Sequence, residues 1–443
     1  MSGWARRGVR DRCRTVASAA DTMRRDVDAY LTAATNDQRV DPVDSITAEL
    51  IPTLDALRWI GRRGPRVLRC KRLSVFSRPA WLWGVRTRVC RVPVGEVLIL
   101  GAWNYPLFLT AVQAAQSLAA GNRTLVKPAP GAAAVTDWFV GHLHRAGVPE
   151  TALVRLDDSV RAGTDAIDRG VDLVVMTGSA GTGRAVMRRC AETLTPTIVE
   201  AGGCDAVVVL PGADVRRVAD TIRFGLTINS GATCIGPRRI LVPGDEADTY
   251  GDAIDESLAD ADIASVHPAA RSTAADALAD ALDRGASGMS PEDVARLRRD
   301  GRMLPVLMRD VEPEMTLARS DVFAPVASLI RYADVDAAAD IVNACPYRLA
   351  ASVFGPRRSA RRLADRLDVG TVVINELIVP TADPRMSFGG RGRSGFGVTR
   401  GAEGLLAMTA VKNVCQRVSG PRMHLRPRRD GDERLMRWIA SRR

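Results

Sequence analysis

Hydrophobic spacing changes twice along the chain. Over residues 1–73 apolar side chains recur at three and four, as in Tyr30-Leu31, Ile46, Leu50 and Leu54 to Ile60, which predicts helices separated by polar turns. Around Trp81–Val94 the spacing becomes alternation: Trp81, Trp83 and Val85, then Val89 and Val92 among arginines. That predicts a ribbon of strands with one apolar face. From Val97 short unbroken apolar runs alternate with longer mixed stretches. VLIL (97–100), RTLVK (123–127), Leu153–Leu156, DLVVM (172–176), TIVEA (197–201) and AVVVL (206–210) read as strands. Leu107–Ala120, Thr136–Ala146, Ala162–Arg169 and Gly183–Glu192 read as helices, the first closing at Gly121.

Strands spaced by helical stretches imply βαβ units and a parallel sheet buried on both faces. A second such series runs from about Asp214 to Val398, through RRILVP, RMLPVLM, VASLIRYA, ASVFG and GTVVIN. The expected fold class is therefore α/β. No apolar run reaches the roughly 18–20 residues that span a bilayer. The first residues lack the apolar stretch of a signal peptide, so the expected setting is cytoplasmic.

Charge changes this picture little. The formal net charge is +11. Residues 1–91 carry 19 basic against 9 acidic groups and residues 415–443 carry 9 against 3, so the excess sits at the two ends and the middle is net acidic. Basic ends can bind nucleic acid non-specifically. No zinc finger or helix-turn-helix pattern accompanies them, and no specific nucleic-acid partner is expected. The eight cysteines form no CxxC pair, and only four histidines are present. No metal site is expected, and the thiols read as separate and reduced. His142 and His144, near a predicted helix end, read as solvated.

Candidate chemistry lies in the turns. Thr177–Gly183 is a glycine-rich strand-to-helix turn, which either receives an anion on its backbone N–H groups or is simply tight. Cys234 lies in TINSGATCIGPRR, a polar loop that suits a nucleophile better than a packing thiol, although an inert Cys remains the alternative. Glu200, Asn104 and Lys127 follow predicted strands. Each could be a solvated or turn residue, yet ligands of open α/β sheets bind at the carboxyl ends of strands.

Taken together, PVGEVLILGAWNYPL, GNRTLVKPAP, MTGSAGTGRAV, TIVEAGGCDAVVV, NSGATCIGPRR, DVFAPV and SFGGRGRSGFGVTRG occur in an order that resembles the aldehyde dehydrogenase superfamily. The resemblance covers about residues 93–415 and includes the 34-residue step from Glu200 to Cys234. The compact N-terminal region and the WNYP motif are most similar to class 3 members. The resemblance implies a modified Rossmann cofactor domain (1–205, with arm strands near 76–95). It also implies an α/β catalytic domain (206–404) and a C-terminal segment (405–443) that completes a small β oligomerisation arm.

It further implies NAD or NADP as cofactor, an aldehyde substrate and a homodimer. Cys234 would be the nucleophile that forms a thiohemiacetal and then a thioester. Glu200 would be the general base, and Asn104 would join the oxyanion hole. Lys127, Gly178, Ser179, Gly183, Asp321 and Phe323 would hold the cofactor. Trp103, Tyr105 and Phe388 would line the substrate pocket, with Leu109 and Ile235 as further lining or core residues.

Five residues depart from the family pattern. Pro130 replaces a ribose-binding Glu, which leaves NADP as open as NAD. Asp321 and Ala324 stand in the usual Glu-x-Phe-Gly-Pro motif. Cys204 replaces a Lys, and Arg348 a Gly. A CoA-acylating enzyme, a retired family member kept for binding, and a nucleic-acid-binding protein remain the alternatives. Glu200 speaks against the first, and the retained Cys234, Glu200 and Asn104 against the second.

Overall fold

Two six-stranded sheets organise the larger part of the chain. The structure is a computed structural model that describes residues 3–36, 39–74, 76, 78–420 and 422–441. Met1, Ser2, Asp37, Gln38, Val75, Ser77, Pro421, Arg442 and Arg443, taken in by the expected domain and arm ranges, lie outside the described residues.

In the first sheet the order is Gly395–Phe396, Thr197–Ala201, Leu173–Gly178, Glu96–Leu100, Arg123–Lys127, Leu153–Arg155. All neighbours pair in parallel except Gly395–Phe396, which runs antiparallel with Gly395 opposite Glu200. Successive side chains of a strand face opposite sides. Val97 and Ile99 accordingly join one core cluster, with the helix Phe108–Ala120, while Leu98 joins another with Val174 and Met176. Every residue of that helix is buried, which its many alanines permit. It ends at Gly121 in the left-handed region, φ 100°, where a side chain would be strained.

The second sheet has the order Val306–Met308, Val326–Tyr332, Arg239–Pro243, Ala206–Val209, Ala350–Phe354, Thr371–Ile374 and is wholly parallel. The α/β expectation holds. The two sheets serve the molecule from opposite ends. The first offers the loops after its strands, at Ala102–Asn104, Gly178–Ser179 and Glu200–Gly203. The second offers loops before its strands, at Cys234 and Asp321.

The chain divides into two compact units. The larger, Met1–Leu68 with Pro93–Ala410, holds both sheets, so the expected division near residue 205 falls inside it. The smaller, Arg69–Val92 with Val411–Arg443, contains most of a three-stranded sheet of Lys71–Arg72, Val85–Pro93 and Thr409–Arg417. No helix among the described residues is long and apolar enough to cross a membrane.

Several local expectations change. The expected ribbon starts at Val85, and Trp81 instead lies in a 3-10 turn, Ala80–Leu82. RMLPVLM is two short strands in different sheets, broken before Pro305, whose nitrogen cannot donate. The helix expected from Gly183 begins at Ala180, because the Ser179 hydroxyl accepts from Thr182 N at 3.1 Å and caps it. His142 is not solvated. It is buried, with Nδ1 against Thr22 Oγ1 at 2.8 Å and Nε2 against Asp26 Oδ2 at 2.9 Å. Nor are all thiols separate: Cys70 and Cys90 form a disulfide in the smaller unit, and Cys70 is exposed rather than packed in an apolar core.

Candidate active site

A cavity of about 230 Å3 gathers the loops from both sheets. Trp103, Asn104, Gly178, Ser179, Glu200, Cys234, Asp321 and Phe323 all line it, together with Leu109 and His267. Residues up to 220 positions apart in sequence thus share one space, those of the first sheet from the carboxyl ends of its strands and Cys234 and Asp321 from ahead of strands of the second.

Cys234 is held by an unusual loop. Asn229, Ser230 and Gly231 all take positive φ, at 48°, 53° and 71°. A Cβ on Gly231 would stand 2.7 Å from Pro325 Cα, so glycine lets this loop lie directly on the Ala324–Pro325 backbone. Arg238, fully inside, ties the two together. Its guanidinium donates to Ala324 O at 2.7 Å, to Gly231 O at 2.7 Å and to Thr233 O at 3.2 Å. Burial pushes the Cys234 thiol well up, the Glu200 carboxylate adds to that, and the Arg400 guanidinium opposes it. A resting thiol of this kind needs a base before it can attack.

Glu200 is buried at the end of its strand. Oε2 accepts from Thr399 Oγ1 at 2.8 Å, and Oε1 has no partner. Burial raises its pKa, while Arg400 and the Thr399 hydroxyl pull it down. A carboxyl raised in this way, with one free oxygen, fits general-base work near neutral pH. The Asn104 amide donates to Ala232 O at 3.0 Å, two residues before Cys234, and Asn104 O accepts from Asn229 Nδ2 at 2.9 Å. An amide nitrogen has two hydrogens, so a second donor remains beside Cys234.

On the far side of the cavity, Asp321 presses against Gly202. A Cβ there would meet Asp321 Oδ2 at 2.0 Å. Oδ1 is buried without a partner. Desolvation pushes the carboxyl up to about 7, with Arg238 pulling the other way. Asp321 lines the cavity, and an orphaned acceptor on such a residue is what a sugar hydroxyl would satisfy. Trp103 stacks on His267 with ring centres 4.1 Å apart and leans on Phe323 at 5.9 Å.

Four expected residues stand off this cavity's wall. Gly183 lies within the helix after Ser179, where a Cβ would meet Val199 Cγ1 at 2.8 Å, so it serves close helix-to-sheet packing. Lys127 is 8% exposed, and burial lowers its pKa against the raising influence of Asp158 and Asp157. Tyr105 bonds Thr233 Oγ1 at 2.6 Å and faces a separate cavity of about 370 Å3. Phe388 shares a small core cluster with Ile235 and Leu349, and Cys234 packs against that cluster.

Arg238, Thr399, Arg400 and His267 escaped the sequence reading. Only the duplicated arginine in PRR carried a local signal, because two charges at a predicted buried strand must find partners. Ala324 is fully buried, and Arg348 pairs with Asp368 at the surface. Among the described residues no group of His, Cys, Asp and Glu is placed to hold a metal ion.

Known proteins bear on this geometry. The family model described as Aldehyde dehydrogenase family matches residues 1–414. A 4,4'-diapolycopene aldehyde oxidase of Methylomonas is 31% identical over 386 residues, 82% of this chain and 69% of that protein. An NADP(+) succinate-semialdehyde dehydrogenase of Deinococcus radiodurans is 30% identical over 437 residues, 93% of this chain and 87% of the relative. The crystal structure of an NADP-dependent glyceraldehyde-3-phosphate dehydrogenase from Bacillus halodurans, complexed with NADP, superposes with a TM-score of 0.84 at 26% identity. It covers 94% of this chain and 88% of that one.

Proposed function

The chain belongs to the aldehyde dehydrogenase family, and on that premise we propose that it oxidises an aldehyde to a carboxylic acid with NAD or NADP. One observation carries the reading: Cys234, Glu200 and Asn104 open on the same cavity as the unpartnered Asp321 carboxylate oxygen.

The roles follow from the positions. Cys234 Sγ attacks the carbonyl carbon as the thiol proton passes to Glu200 and on to solvent, the carbon–sulfur bond forms, and the carbonyl pair moves to oxygen. The Cys234 backbone N–H and the Asn104 amide donate to that oxygen. Bound NAD or NADP would supply the hydride acceptor there. Glu200 takes the proton of the entering water, and the thioester opens to acid and free thiol. Asp321 holds ribose hydroxyls, Phe323 walls the ring site, and Gly178 and Ser179 face the pyrophosphate at the start of the helix Ala180–Glu192. Gly183 sets that helix close to its sheet, and Lys127 holds the adenosine ribose. Trp103, Tyr105 and Phe388 shape the substrate side.

The Trp103-Asn104-Tyr105-Pro106 motif supports a class 3 affinity. The exposed Phe76 and Trp83 of the smaller unit, 97% and 67% accessible, support a homodimer. The test is NADH or NADPH formation with a panel of aliphatic and aromatic aldehydes. Turnover by wild type that vanishes in Cys234→Ala supports the reading. Absence of turnover alongside intact cofactor binding overturns it.

A further inference from the structure

The positive charge of this chain is concentrated in its smaller unit. Arg69–Val92 with Val411–Arg443 carries 17 basic against 3 acidic residues, while the rest of the chain carries 45 against 48. Segment 69–92 has no acidic residue at all. The whole positive excess of the protein therefore belongs to this unit.

Its sheet sets like charges together. Arg72 lies opposite Arg88 in the antiparallel ladder between Lys71–Arg72 and Val85–Pro93. Directly opposed residues share a face, and so do residues two apart, which puts Arg86 on that face as well. All three arginines are exposed. Like charges directly opposite each other destabilise a ladder, and an anion laid against that face would relieve it. Two of the unit's three acids are already taken, Asp432 by Arg426 at 2.7 Å and Glu433 by Arg437 at 2.8 Å.

The same unit holds a helix of 10 residues, Asp432–Ser441, none of which is buried. With about 3.6 residues per turn, Leu435, Met436, Trp438 and Ile439 fall on one side, and Glu433, Arg434 and Arg437 on the other. Leu435, Met436 and Trp438 are exposed, Trp438 by 53%. A helix this short is marginal in water by itself, so its apolar side calls for a contact. Arg422, Arg426, Arg428 and Arg429 lead into it.

We propose that the smaller unit docks on an anionic lipid membrane, with its arginines against the headgroups and the apolar side of Asp432–Ser441 at the acyl boundary. Charge alone suits any polyanion. The helix decides between them: Leu435, Met436 and Ile439 find acyl chains in a bilayer and have no counterpart along a phosphate backbone. The homodimer proposed above rests on Phe76 and Trp83 and does not call on this helix, where a second copy would set like charge against like. A short amphipathic helix and a polybasic surface are each weak, and together they give reversible surface binding without a spanning segment.

The experiment is vesicle flotation with the whole 443-residue chain. It compares phosphatidylcholine vesicles with vesicles containing about one-third phosphatidylserine. Affinity for the mixed vesicles is expected to be at least about 10-fold higher and to drop steeply between about 0.1 and 0.5 M salt. Leu435→Ser with Trp438→Ser should weaken binding about 10-fold by removing the apolar side. Arg72→Gln with Arg88→Gln should weaken it by a similar factor, and so should Arg434→Gln with Arg437→Gln, which leaves the ladder untouched. Thermal unfolding shows which variants keep the fold, and those variants are compared.

Equal affinity for the two kinds of vesicle, no binding at low salt, or binding indifferent to these substitutions overturns the proposal. Tighter binding of duplex DNA than of mixed vesicles in the same buffer also overturns it and assigns the surface to nucleic acid. A smaller particle in light scattering for Leu435→Ser with Trp438→Ser overturns it too, because the helix would then join copies of this chain.

Discussion

Thr399 Oγ1 donates to Glu200 Oε2 at 2.8 Å and leaves Oε1 of the same carboxylate buried without a partner. The bond steadies the charged form of a group that burial would otherwise neutralise. Removing it should raise the Glu200 pKa further. Thr399→Val is therefore expected to move the acidic limb of the kcat profile upward by about one pH unit. A pH series of steady-state rates checks this. A limb that stays in place would mean that Glu200 does not set it.

The Cys234 thiol and the Glu200 carboxylate oppose each other in the resting protein, since the carboxylate adds to the upward push on the thiol. Glu200→Gln should therefore lower the thiol pKa and speed alkylation of Cys234 by iodoacetamide at pH 8, by about 3- to 10-fold. Aldehyde turnover should fall about 100-fold or more in the same variant, because water loses its base. Slower alkylation would mean instead that Glu200 removes the thiol proton before substrate arrives.

Gly202 leaves the space that Asp321 fills, with a Cβ there 2.0 Å from Oδ2. Gly202→Ala should displace the carboxylate and cost about 1–3 kcal/mol of stability. Affinity for the nicotinamide cofactor should weaken with it. Thermal unfolding and a fluorescence titration of NADH measure the two effects. An unchanged affinity would remove Asp321 from cofactor binding.

Asp321 is a carboxyl pushed up to about 7 in the folded chain, by desolvation first. Its folded-state value lies above its unfolded one. It therefore takes stability away as pH rises from about 4, the ordinary Asp value, to about 7, and its full cost remains above that. Asp321→Asn should flatten this fall in cofactor-free protein. The variant should gain on wild type at pH 8 relative to pH 4. Urea melts at the two values test it, and an equal difference at both would refute the buried-charge account.

Much of the architecture was legible because its causes are local. The apolar runs at 97–100, 173–176 and 206–209 report burial on both faces, and a parallel sheet is the usual way to achieve it. Gly121 closes its helix for a reason contained in that one residue. Cys234, Glu200 and Asn104, which line one cavity, stand out as candidates because each sits in a short, ordered motif at a turn. Where the reading erred, a partner distant in sequence decided the outcome. His142 looked solvated beside a helix end, but Thr22 and Asp26, 120 and 116 positions away, draw it inside. Cys70 and Cys90 read as separate thiols because nothing between them announces that two segments will lie side by side.

The sequence by itself determined the order of strands and helices, the α/β class and the candidates for the reacting groups, since these follow from periodicity and from motifs a few residues long. Tertiary structure alone decided what surrounds those groups. Thr399 reaches Glu200 across 199 positions, and the Asn104 amide reaches Ala232 across 128. Arg238 and Arg400 look like any other arginines in a chain with 62 basic residues. Their partners, burial and electrostatic reach come from packing, and only packing makes one of them a tie between loops and sets the charge of the other against Glu200 and Cys234.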